Sequence, residues 1–97
     1  MMIETPFKIN DTITIRTTAG EEIVARFQAD TTGGITVTKP LALVASKDGI
    51  GLGPWVYTVD PASNIKINKD NIVFVCKTEP GMASQYMTAT TGLTMKS

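Results

Sequence analysis

The residue types that carry acid–base, nucleophilic or metal chemistry are few in this chain of 97 residues. It has no histidine, which removes the most common general base and zinc ligand. Its single cysteine, Cys76, is expected in the core, because a free cysteine behaves as a small hydrophobe. Glu21 and Glu22 would face opposite sides of a strand, which indicates a solvated hairpin end rather than a catalytic pair. We therefore expect no enzyme activity, no catalytic residue, no metal site and no cofactor.

One glycine-rich segment, residues 46–54, invites comparison with a phosphate-binding loop. The dinucleotide fingerprint needs a helix directly after its glycines, and the Walker pattern needs Gly-Lys followed by Ser or Thr. Here the glycines are followed by Pro54 and by the strand-like residues Trp55 and Tyr57. We predict an exposed, mobile loop that binds no nucleotide, and we expect Trp55 to be a core or interface anchor rather than a base-stacking platform.

Charge and composition limit the classes of partner. Nine basic residues balance nine acidic residues, so the chain has no overall attraction for nucleic acid or an anionic membrane, and such binding would need local patches. No apolar run reaches the roughly 20 residues of a membrane helix, and residues 1–10 lack a signal-peptide core. We predict a single cytoplasmic domain over residues 1–97 with no membrane partner.

Alternation of apolar and polar residues is the main structural signal, and it predicts strands with one buried face. Pro40 should break the third strand, make it bulge or place it at an edge, because proline cannot donate a ladder hydrogen bond. After residue 79 the periodicity fades, so residues 80–97 are a tail that docks weakly or forms a short helix. The predicted strands cover residues 9–17, 22–30, 35–44, 55–60 and 72–78 of an all-β core over about residues 9–79.

The last predicted strand is apolar on both faces. Ile72, Phe74 and Cys76 would lie on one face, and Val73 and Val75 on the other. Since a small domain has one core, the second face indicates another buried surface, to which Val24 and Val56 also point. We predict that Val56, Val73 and Val75 contact a second copy of the chain.

Two segments resemble the sequence motifs of the Sm-like family (LSm and Hfq). Residues 67–75 resemble the second motif, in which an apolar residue and a basic turn precede an apolar strand. The first motif would span residues 12–44, where its glycine, apolar, small and apolar positions are matched by Gly20, Ile23, Ala25 and Phe27.

The chain departs from these motifs at several positions. Asp30 stands one residue early for the aspartate of the first motif. The turn of the second motif reads Asn68-Lys69 where the family prefers Arg-Gly. Gly34 and Thr32 replace an asparagine and an aromatic residue that contact bases in the family. The short spacings fit a divergent member of bacteriophage origin.

This resemblance implies a five-stranded, strongly bent antiparallel Sm-like barrel, in which the last strand pairs with the fourth strand of a neighbour and closes a ring. It predicts a homo-oligomer of about five to seven subunits that binds single-stranded nucleic acid, RNA in preference to DNA, at its inner rim. The alternative is a structural or adaptor module, such as a phage assembly or virion protein, without nucleic-acid binding. The predicted binding residues are Asp30, Thr31, Thr32, Gly33, Gly34, Asn68, Lys69 and Asn71.

Overall fold

A computed structural model describes residues 7–91 of the chain. The described residues form one antiparallel sheet in the order β4-β3-β2-β1-β6, with β5 paired to β3 outside this path. The small β-rich domain is therefore confirmed. Within residues 7–91 the strand pairings do not close into a barrel, and a helix follows the last strand. The elements are β1 (Thr12–Thr17), β2 (Glu22–Thr31), β3 (Gly34–Ser46), β4 (Gly49–Pro54), β5 (Ile65–Asn68), a one-turn 3-10 helix (Lys69–Asn71), β6 (Ile72–Lys77) and α1 (Pro80–Thr91).

The core follows the alternation of the first three strands. Ile13 and Ile15 of β1 pair with Ala25 and Ile23 of β2, and all four side chains are fully buried. Burying one large aliphatic side chain contributes about 1.5–3 kcal/mol, so this shared face is the main source of stability. The rest of the core comes from Phe27, Ile35, Val37, Ile67, Ile72 and Val75.

β3 bends at Lys39 and Pro40. Val24 of β2 pairs with Leu41, but Arg26 pairs with Thr38, so β3 contains one extra residue at this point. Lys39 adopts a positive φ of 52°, which is unusual for a residue other than glycine. Pro40 lies inside this bulge, where the ladder needs no proline N–H. The first half of β3, before the bulge, pairs with β5, and the second half pairs with β4.

The glycine-rich segment was predicted to be a loop, and this is wrong, because most of it forms one strand of a hairpin. Residues 49–54 form β4, which pairs with the second half of β3 from Ser46↔Gly49 to Leu41↔Pro54. The strand predicted at residues 55–60 is wrong, because the chain leaves the ladder after Pro54 and Tyr57 is 83% exposed. Residues 55–64 instead lead back to β5, which starts at Ile65.

The face assignment within β6 is also corrected. Ile72 and Val75 are both buried in the core, although they are three residues apart. The ladder with β1 shifts register between Arg16 and Thr17, so Ile72 pairs with Thr17 while Val75 pairs with Ile15. Val73 is left 49% exposed, and Cys76 is only half-buried. Arg16 pairs with Phe74 and Thr17 pairs with Ile72, so β6 contains one extra residue, Val73, and this bulge lets Ile72 and Val75 both face inward.

Helix α1 forms the first part of the C-terminal tail, and residues 92–97 lie outside the described residues. Pro80 is the first helical residue, a position that tolerates proline because no intrahelical N–H is needed there. The backbone N–H groups of Gly81 and Met82 donate to the Glu79 carboxylate at 2.9 Å each. These hydrogen bonds lower the pKa of Glu79, because they stabilise the ionised form. Glu79 thus caps the helix.

The helix lies over the sheet face that is opposite the main core. The Sδ atom of Met87 lies 3.9 Å from Thr12 Oγ1 and 3.7 Å from Arg26 Nη2, and both of those residues point away from the core. Val24, the exception to the predicted alternation, points the same way and is only 1% exposed. The second buried surface that Val24 indicated is therefore supplied by the chain's own helix.

Tyr86 joins α1 to the bend in β3. Its side chain is fully buried, and its hydroxyl donates a 2.6 Å hydrogen bond to the Lys39 carbonyl oxygen. Burial raises the pKa of Tyr86 to about 12, so the hydroxyl remains a donor at any pH in ordinary use. The Lys39 N–H in turn donates to the Pro61 carbonyl at 2.7 Å. Both backbone polar groups of the strained residue are thus satisfied.

We predict that Tyr86→Ala lowers the free energy of unfolding by about 3–5 kcal/mol, because it removes a fully buried ring. Tyr86→Phe keeps the ring and removes only the hydrogen bond to Lys39, so it should cost about 1 kcal/mol. Urea denaturation followed by circular dichroism measures both changes. Equal destabilisation by the two substitutions would contradict a packing role for the ring.

Candidate functional site

The two turns predicted to bind nucleic acid lie side by side. The turn between β2 and β3 centres on Thr32 and Gly33, and the 3-10 helix follows β5. Gly34 pairs with Asn68, and the Lys69 N–H donates a 2.9 Å hydrogen bond to the Gly33 carbonyl. The β3–β5 ladder therefore brings together two segments that are distant in sequence.

Close backbone packing explains the two glycines of the first turn. A Cβ atom added to Gly34 would overlap the carbonyl oxygen of Ile67, which is fixed in β5. A Cβ on Gly33 would meet the Nζ atom of Lys66 at 2.9 Å, at the free end of a flexible side chain. The Lys66 ammonium thus lies over the first turn, although its residue belongs to β5.

A groove of about 380 Å³ adjoins the second turn. Its walls come from the β1–β2 hairpin, from the residue that follows β4, and from β5 with the 3-10 helix. Asn68 and Asn71 of the predicted site line it, whereas residues 30–34 do not. Its size lies within the range of small-molecule sites. The lining residues are Thr17, Thr18, Ala19, Glu21, Trp55, Lys66, Ile67, Asn68 and Asn71.

The Glu21 carboxylate is held in place on one side of the groove. Its Oε2 atom accepts a 3.3 Å hydrogen bond from the Trp55 indole N–H, and its Oε1 atom accepts one of 3.4 Å from the Thr17 hydroxyl. The Glu21 N–H donates to Thr17 Oγ1 at 3.2 Å. Trp55 packs one side against the core and remains partly exposed, which agrees with its predicted role as an anchor. The groove therefore has a fixed acceptor beside an aromatic ring.

The asparagines on the opposite wall differ in their remaining hydrogen-bonding capacity. Asn68 Oδ1 accepts the Asp70 N–H at 3.1 Å and so caps the 3-10 helix, which leaves its amide NH₂ as the group available to a ligand. The Asn71 backbone carbonyl accepts from the Thr18 N–H at 3.0 Å, while its side chain is exposed at the groove. This wall offers mainly donors.

The electrostatic field around the two turns is nearly balanced. Lys66 and Lys69 are exposed cations, and Asp30 and Asp70 are exposed anions in the same region. A field of this kind does not attract a polyanion over long distances. A polyanion at these turns would have to be held by short-range contacts within the groove and across the turns.

Three residues of the site were not predicted from sequence, namely Glu21, Trp55 and Lys66. Glu21 follows a hairpin, and Lys66 alternates with apolar neighbours, so each has the pattern of an ordinary solvated residue. Trp55 is distant in sequence from both predicted turns. Only the folded chain brings the three together, and no local pattern could have indicated it.

The predicted interface residues have different environments. Val73 is exposed on β6, an edge strand whose ladder partner among the described residues is β1. Val56 is half-buried in the segment after β4. Val75 is fully buried in its own core, so its assignment to an intersubunit contact is corrected.

Within residues 7–91, no three carboxylate or thiol groups are grouped so that they could hold a metal ion. No helix in the described part of the chain is long and apolar enough to cross a membrane. No protein-family model matches the sequence, and no curated protein matches it. The geometry of the site is therefore the basis for assigning a function.

We predict that Gly34→Ala destabilises the fold by about 1–3 kcal/mol or more, because its methyl group would force β3 and β5 apart. Gly33→Ala is the matched control, since only the end of the Lys66 side chain has to move. Thermal unfolding of the two variants gives the comparison. Equal stability of the two variants would contradict the close packing of the turns.

Proposed function

We propose that this chain is a non-catalytic module that binds single-stranded nucleic acid, RNA in preference to DNA, and acts as a homo-oligomeric ring. The observation that carries the proposal is the contact between the two turns, made by the Gly34↔Asn68 pair and the Lys69–Gly33 hydrogen bond. The Sm-like resemblance assigns nucleic-acid contacts to these same two turns. Their adjacency is the geometry that such a role requires.

The chemistry of the turns supports contacts with phosphates and bases. Lys66 and Lys69 supply two ammonium groups at one edge of the sheet, and the Asn68 and Asn71 amides can donate to phosphate oxygens or base edges. Because nearby aspartates offset the positive charge, affinity should be modest. A cyclic assembly would repeat this small site around one rim and so raise the total affinity.

Open strand edges support self-association. β4 and β6 are the two ends of the sheet, so within residues 7–91 neither has a further strand on its outer side. Such edges pair readily with another chain unless they are covered. Val73 adds an exposed apolar side chain to β6. Since residues 55–60 are not a strand, the neighbour of β6 in a ring would be β4 or β5 of the next subunit.

A second candidate function is a structural or adaptor module. The β3–β4 hairpin carries Val44, 50% exposed, and Ile50, 61% exposed, and neither belongs to the binding site above. Exposed apolar side chains on a hairpin are suited to protein contacts. If no oligonucleotide binds at low salt, this second function replaces the first.

We predict that Lys69→Ala weakens the binding of all single-stranded oligonucleotides alike, because this lysine would contact phosphate rather than base. The slope of log affinity against log salt should fall by about one for each phosphate group that the variant no longer neutralises. Fluorescence anisotropy of a labelled RNA at several salt concentrations measures both effects.

Lys47→Ala is the matched control for charge, because Lys47 is an exposed lysine at the β3–β4 turn, outside both binding turns. It should change binding little. The rim site is wrong if Lys47→Ala abolishes binding while Lys69→Ala leaves it intact.

We predict that the wild-type chain is a multimer by size exclusion coupled to light scattering, and that Val73→Asp shifts it to smaller species. Val73 is half exposed within one chain, so the change should leave monomer stability within about 0.5 kcal/mol. Val59→Asp, at a residue of similar exposure (44%) in the segment between β4 and β5, is the control. A wild-type monomer at micromolar concentration would remove the ring from the proposal.

A further inference from the structure

We infer that the groove between the β1–β2 hairpin and β5 is a base pocket that selects guanine, with Trp55 as the stacking surface and Glu21 as the group that recognises the base. This inference rests on the proposed function and extends it from the two turns to a specific pocket. Three features carry it: the aromatic ring, the remaining acceptor capacity of the carboxylate and the donors of the opposite wall.

Trp55 provides the aromatic surface that both predicted turns lack. Its ring borders the groove and is held against the core on one side and by the Glu21 carboxylate at its N–H. A ring fixed in this way loses little conformational freedom when a base stacks on it. Every base has a π face, so stacking alone provides affinity without sequence preference.

Glu21 supplies the preference. An ionised carboxylate only accepts hydrogen bonds and has about four lone-pair sites. The Trp55 N–H occupies one site on Oε2 and the Thr17 hydroxyl one on Oε1, so each oxygen has capacity left for another donor. Guanine presents two adjacent donors, N1–H and the N2 amine, which can bond both oxygens at once. The amines of adenine and cytosine stand beside a ring-nitrogen acceptor, and the single N–H of uracil lies between two carbonyls, so these bases fit a carboxylate less well.

The opposite wall suits the sugar and phosphate of the same nucleotide. Asn68 and Asn71 line the groove, and because Asn68 Oδ1 accepts the Asp70 N–H, the Asn68 NH₂ remains as a donor, while the Asn71 amide offers both a donor and an acceptor. The Lys66 ammonium lies between the groove and Gly33, so a strand that leaves the pocket would pass directly over the turn between β2 and β3. The base pocket and the two turns thus form one continuous path for a single strand.

The test uses the intrinsic fluorescence of Trp55, which is the only tryptophan in the chain. The probes are three short RNAs of equal length: all uridine, uridine with one guanosine, and uridine with inosine in place of that guanosine. The guanosine RNA should quench the fluorescence and bind roughly tenfold more tightly than all-uridine RNA. Inosine lacks only the N2 amine, so it should bind about fivefold more weakly than guanosine.

Protein variants then separate the two contributions in anisotropy measurements with labelled RNA. Trp55→Phe should weaken the guanosine RNA severalfold, because the smaller ring stacks less well and cannot bond Glu21. Glu21→Gln should remove the guanosine preference while keeping most of the affinity. Glu22→Gln is the matched control, because Glu22 pairs with Arg16 at 3.5 Å instead of lining the groove, and it should retain the preference. Circular dichroism confirms that each variant is folded.

The possible outcomes separate this inference from the proposed function. Equal binding of all three RNAs with unchanged Trp55 fluorescence would overturn the base pocket and leave nucleic-acid binding at the turns intact. Retention of the guanosine preference in Glu21→Gln would overturn the role of Glu21. Absence of binding by every RNA at low salt overturns both proposals.

Discussion

β3 pairs with two different strands, one on each side of its bulge at Lys39 and Pro40. Before the bend the strand pairs with β5, and after it the same strand pairs with β4. The positive φ of Lys39 costs free energy, which is offset where the Tyr86 hydroxyl and the Pro61 carbonyl bond its backbone groups.

The candidate site depends on the first half of β3, whose ladder with β5 brings Asn68 to the turn between β2 and β3. Backbone contacts hold the two turns together, including the Lys69–Gly33 hydrogen bond and the close approach of Gly34 to Ile67. Because backbone atoms make these contacts between the two turns, the exposed side chains of the turns remain available for a ligand. Because the charge at the site is nearly balanced, the proposed binding would depend on short-range contacts rather than on long-range attraction.

Helix α1 and the open sheet edges divide the molecular surface into covered and accessible parts. The helix covers the face that bears Val24, and it does so through Tyr86 and through Met87. The second buried surface that the apolar residues indicated is therefore formed partly within one chain, where the helix covers Val24. In the described part of the chain the edge of β6 with Val73 and the edge of β4 stay accessible, and these are the places where another copy can add a strand.

Residue patterns were sufficient to predict the β-rich class, the second and third strands, the start of β6 and the core face of β1 and β2. The first strand begins at Thr12 instead of residue 9, and Ile9 is 68% exposed. Alternation with period two predicts which residues are buried wherever a strand has one buried and one exposed face, as at Ile13 and Ile15. It failed where burial depends on a distant partner. Residues 49–54 form a strand that no pattern predicted, because their glycines have no side chain to alternate. Ile72 and Val75 both face the core because β6 carries one extra residue opposite Arg16 and Thr17. The meeting of Glu21, Trp55 and Lys66 at one groove likewise required the folded chain, because their proximity comes from ladders between segments distant in sequence, which no local pattern encodes.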